Sequence, residues 1–116
     1  MRLQALGILV ALSTSAFTLN SHATASDDTQ ASLLALQRDD QRVADIAWRI
    51  ASRNADSCPK LWASIGVSLQ HVSQYAPAYR ASAQAAFGLD DSYPSILAVA
   101  EGSPASAAGL KPNDTL

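Results

Sequence analysis

The amino-acid sequence predicts an α+β chain, with amphipathic helices first and strands and turns last. Three observations predict it. No Gly or Pro interrupts residues 26–54, where Leu33, Leu36, Val43, Ala47 and Ile50 recur at the spacings of one helical face. Ile65, Val67 and Leu69 alternate with Gly66, Ser68 and Gln70, close to the period of two of a half-covered strand. Finally, Ser95-Ile96-Leu97-Ala98-Val99-Ala100 is an apolar run closed by the turn-forming Glu101-Gly102-Ser103-Pro104.

The first element is a leader. Arg2 precedes the apolar run Ala5-Leu6-Gly7-Ile8-Leu9-Val10-Ala11-Leu12, and Ala23 and Ala25 occupy the small-residue positions read by a signal peptidase. The run is shorter than the roughly 20 residues that span a bilayer. Residues 1–25 are therefore expected to be a signal peptide, with a mature chain starting at Ser26 and exported to the periplasm or the medium. Without Arg2, seven basic residues stand against ten acids, a net charge of −3. An acidic chain without a basic cluster is a poor candidate for nucleic acid or an anionic membrane, so neither partner is expected after cleavage. About 90 residues make one small domain with a modest core.

Residues 26–56 read as an amphipathic helix. Ser26-Asp27-Asp28-Thr29 offers N-cap side chains and negative charge where a helix start favours both. Arg38, Arg42, Asp45, Arg49 and Arg53 form a solvated side, with Asp45 and Arg49 at ion-pair spacing. Asp40 interrupts the apolar stripe and reads as a weakly packed turn. Asp56-Ser57-Cys58-Pro59 ends the helix, since a residue before Pro avoids the α region.

Residues 57–86 hold the short strand and an Ala-rich helix opened by Pro77 and closed by Gly88. Cys58 is the one cysteine: it could pair with a thiol outside this chain, pair between molecules, or stay free and buried. A catalytic thiol would need a base. His71, the sole His of the mature chain, reads instead as a polar residue on a strand face. Zinc needs three or four ligands, and none are grouped, so no metal, cofactor or catalytic set is expected within these residues.

Residues 87–116 give strand, turn, short helix, Gly stop, turn and strand. Pro104 suits the first helical position and Gly109 the stop, after which Leu110 returns to the core. Gly102-Ser103-Pro104-Ala105, Ala108-Gly109-Leu110, Asn113-Asp114 and Thr115-Leu116 keep the order and spacing of a motif in bacterial PDZ domains, and this segment resembles the N-terminal part of one. The family usually has Gly where Asn113 stands, and Asn tolerates the left-handed turn best among other residues. The resemblance implies an incomplete, PDZ-like, partly open β-barrel after the helices. The chain then reads as a fragment, with the strand at residues 96–99 short of part of its partners.

The resemblance further implies a peptide-binding module that takes C-terminal or unfolded segments of other proteins as an added strand. Phe87-Gly88-Leu89 is the nearest candidate loop for the peptide carboxylate. Asp90 and Asp91 follow it at once, and Gly88 equally suits a helix C-cap. The alternative implied is the non-catalytic N-terminal region of an exported zinc metallopeptidase or serine protease, with its catalytic domain beyond residue 116.

Overall fold

The computed structural model describes residues 20–116. Most of the expected leader lies outside the described residues; the backbone of residues 20–25 is helical. The architecture is mixed helix and strand: α1 (Asn20–Arg53), β1 (Val67–Gln70), α2 (Arg80–Phe87), β2 (Ser95–Val99) and α3 (Pro104–Ala107), with short 3-10 turns between them. β1 and β2 form an antiparallel two-stranded sheet that does not close into a barrel.

α1 starts at Asn20, so Ser26-Asp27-Asp28 lie within the helix and do not cap it. It ends at Arg53, and Cys58 before Pro59 is extended, with ψ 124°. The packed side of α1 is not the predicted one. Leu33 joins a small core with Val72, Ala83, Phe87 and Leu89, but Leu36, Val43 and Ile50 are about 60 % exposed (60 %, 64 % and 60 %). Ala47 and Asp40 are also exposed. The half-buried side carries Gln37, Gln41, Ala44, Asp45 and Trp48. Its physical reason is β2, whose edge needs hydrogen-bond partners more than α1 needs apolar cover. The expected Asp45–Arg49 ion pair does not form; Arg42 pairs with Asp39 at 2.9 Å instead.

β1 keeps four residues of the predicted strand, with its alternation broken. The register steps from Ser68 opposite Ala98 to Leu69 opposite Ile96, leaving Leu97 as a bulge. Gln70 is buried and Leu69 is half exposed, the reverse of the expected pattern. α2 follows a 3-10 turn at Pro77–Tyr79 and ends at Gly88, which is left-handed and donates its amide to the Gln84 carbonyl.

The C-terminal turns match their residue chemistry. Ser103 caps α3 by accepting from the Ser106 amide (3.2 Å), Pro104 opens it, and Gly109 turns left-handed at φ 83°. Leu110 packs with Ile96, Val99, Ala105 and Val67 in a second small core. Asn113 adopts φ 71°, the left-handed conformation expected of it. Residues 113–116 then run antiparallel to the start of β2: Asn113 N donates to Ile96 O (2.7 Å) and Ile96 N to Asp114 O (2.9 Å). β2 is thus held on both sides, against the expectation that it lacks partners.

Candidate functional site

The edges of the sheet are treated differently. On one side of β2, residues 113–116 cover its first half and α1 covers the second. Gln41 meets Val99 as a peptide group would: its Nε2 donates to Val99 O (2.7 Å), and Val99 N donates to its Oε1 (3.1 Å). Gln37 Nε2 donates to Leu97 O (3.3 Å), and Glu101 N donates to Asp45 Oδ1 (2.8 Å). Three helical side chains replace a neighbouring strand here.

Asn113 joins this system through its side chain. Its Oδ1 accepts from Gln37 Nε2 (2.8 Å) and Gln70 Nε2 (3.3 Å), tying α1, β1 and the left-handed turn together. Gln70 Oε1 in turn accepts from the Tyr75 hydroxyl (2.8 Å). Burial, and then the negative charge of Asp40, push the Tyr75 hydroxyl above its ordinary value of 10.0.

The other edge, along β1, has no strand beside it among the described residues. Ala100 N donates to Gly66 O (2.8 Å), so the backbone groups of Gly66 and Ser68 turn toward β2. Those of Val67 and Leu69 therefore point to the open side. Gly66 makes the turn into β1 at φ 80°, where an added Cβ would overlap that of Ser103 and come within 3.3 Å of the Trp48 ring. Beside this edge lies an open groove walled by Ala44, Ala47 and Trp48 of α1 and floored by Gly66, Ser68 and Ala100. It adjoins a second hollow, between Trp48 and the segment of Cys58, Lys60 and Trp62, where Lys60 Nζ stands 4.5 Å from the Trp62 ring centre.

The loop singled out in the sequence lies elsewhere. Phe87 and Leu89 point into the core of α2, and the Gly88 amide is used in the helix cap. A segment that runs directly into an open strand is Ile65-Gly66-Val67. The signal available for it was an apolar-Gly-apolar triplet immediately ahead of an alternating run. Gly102, Ser103, Pro104, Ala105, Ala108, Gly109, Leu110 and Asp114 shape the turns around α3; Asp114 Oδ2 accepts from the Lys111 amide (2.9 Å).

His71 lies just past β1 and not on its face. It caps a 3-10 turn: Nε2 donates to the Asp91 carbonyl (3.2 Å), which leaves Nδ1 to accept from the Ser73 amide (3.2 Å). Cys58 is exposed, which removes the buried-thiol alternative. Among the described residues no three His, Cys, Asp or Glu group around a metal position, and no helix is long and apolar enough to cross a membrane. No family model, curated protein or solved structure matches the chain.

Proposed function

We propose that the chain is a PDZ-like peptide-binding module of an exported protein, taking the C-terminal or unfolded segment of another protein along β1. The observation that carries this reading is the open β1 edge, with two outward-facing backbone positions beside an apolar groove. An extended peptide adds to such an edge through main-chain hydrogen bonds, and alternate side chains enter the groove. A small apolar residue suits the space between Ala47, Trp48 and Ser68. Lys60, in the segment leading to β1, supplies positive charge for a terminal carboxylate. The module binds and carries no catalytic set of its own.

Export belongs to the same proposal. Cleavage after Ala25 leaves Ser26-Asp27-Asp28 at the new start of α1, where a capping side chain and negative charge stabilise a helix. N-terminal sequencing of the exported product should give Ser26 first, and a soluble product that keeps Met1 would refute the leader.

The binding test is fluorescence anisotropy with peptides that end in Val or Leu. Peptides with a free carboxylate should bind, and amidated copies should bind more weakly. Leu69→Pro removes an outward amide while sparing the bonds to β2, and should abolish binding. Ala47→Trp, which fills the groove, should weaken it. Absence of binding by every such peptide, or binding that Leu69→Pro leaves intact, would overturn the proposal.

A further inference from the structure

The side of α1 turned away from the sheet is a surface with two parts. Leu36, Val43, Ile46 and Ile50 lie at steps of seven, three and four, which aligns them along one stripe about four turns long. All four are about half to two-thirds exposed (60 %, 64 %, 49 % and 60 %). Along one border run Arg38, Arg42, Arg49 and Arg53, at steps of four, seven and four. Arg42 is paired with Asp39; among the described residues no carboxylate is paired with the other three.

We propose that this face docks an acidic amphipathic helix of a partner protein, whose apolar ridge lies on the stripe and whose Asp or Glu residues face the arginine row. Ile46, Arg49, Ile50 and Arg53 surround a hollow on this face. Residues at i, i+3, i+4 and i+7 are the four that receive one side chain of a facing helix in knobs-into-holes packing, so this hollow suits a helix. Charge then selects among helices. Residues 1–19 carry Arg2 and no acid, so they offer the row nothing to pair with. A second copy of α1 packed antiparallel sets arginine row against arginine row. Packed parallel, it sets Asp39 on Asp39 and Arg53 on Arg53 along the seam.

The test uses the full chain and two labelled heptad peptides, each with Ile and Leu at the seam and either Glu or Lys at the flanking positions. The Glu peptide should bind and the Lys peptide should not, and binding should weaken as salt rises. Arg49→Glu with Arg53→Glu should lower binding of the Glu peptide by about tenfold or more and admit the Lys peptide. Ile50→Asp should abolish binding of the Glu peptide with an unchanged circular dichroism spectrum. Equal binding of the two peptides, or none, would overturn the proposal. So would self-association abolished by Ile50→Asp, or preference for phosphatidylglycerol vesicles over the Glu peptide. Leu69→Pro should leave this binding unchanged, which separates it from the peptide site on β1.

Discussion

Where α1 meets β2 its side chains are Gln37, Gln41 and Asp45; on the side turned away they are Leu36, Val43, Ile46 and Ile50. The polar side is the packed one. A rule that assigns apolar residues to the interior therefore orients this helix wrongly, and the reason lies in the neighbour. The second half of β2 has no strand on its α1 side, so Leu97 O, both groups of Val99 and the amide of Glu101 need partners. A glutamine amide carries one donor and one acceptor in nearly the geometry of a peptide group. Leaving a buried backbone group unpaired costs about 1–3 kcal/mol, comparable to burying an aliphatic side chain. Four such groups match the four aliphatic side chains of the stripe in size, so the apolar stripe alone does not decide which side packs.

The largest effect that would break the inner side is expected at Gly66, where β1 and α3 meet beneath Trp48. Gly66→Ala places a Cβ on Ser103 and holds a non-Gly residue at φ 80°. Overpacking and left-handed strain together should cost about 3 kcal/mol or more, read by urea denaturation. A loss below about 1 kcal/mol would mean that the 64–66 segment moves freely away from Ser103.

The sharpest comparison sets Gln41→Leu against Ile50→Ala. Gln41→Leu adds apolar surface but strands both groups of Val99, and should destabilise by about 2–4 kcal/mol. Ile50→Ala removes an exposed side chain and should stay within about 0.5 kcal/mol. If the outer substitution were the more damaging, the stripe would be packed in solution and the orientation of α1 described here would be wrong. Amide exchange gives a second reading of the contrast, with Val99 slow and Leu69, on the open edge, fast.

Much of the architecture was legible where one residue type dictates one conformation. Pro59, Gly88, Pro104, Gly109 and Asn113 stand where the chain turns, and each does so for a stereochemical reason visible in the sequence. The orientation of α1 was not legible, because it depends on which backbone groups of a strand 58 residues away lack partners. Nor were the bulge at Leu97 and the burial of Gln70. The open edge of β1 was half legible: the alternating run marked a strand, but only its pairing with β2 shows which side stays free.

Asn113 sets turn chemistry against the polar network. Asn113→Gly relieves the left-handed strain but removes the oxygen shared by Gln37 and Gln70. A net loss of about 1 kcal/mol is expected, with Asn113→Asp, which keeps the oxygen, less damaging. A gain in stability for Asn113→Gly would show that the turn alone governs the position.

The smallest effect concerns Tyr75, at the far end of the same network. Its hydroxyl donates to Gln70, and burial followed by the charge of Asp40 raises its pKa above 10.0 in the folded state. The folded chain thus holds this proton more tightly than the unfolded chain. Its contribution is fully present below the unfolded value and is lost as pH rises through the higher folded value. Stability measured by urea at pH 8 to about 11 should fall more steeply in the native chain than in Tyr75→Phe. The variant itself should lose about 0.5–1.5 kcal/mol at neutral pH, because Gln70 Oε1 keeps its burial without its donor. Tyr75→Phe with Asp40→Asn should flatten the profile no further than Tyr75→Phe alone, since Asp40 acts on this slope through the phenol. Parallel profiles for the native chain and Tyr75→Phe would mean that the hydroxyl reaches water in solution. The link from Tyr75 through Gln70 to Asn113 would then be cut at its first step.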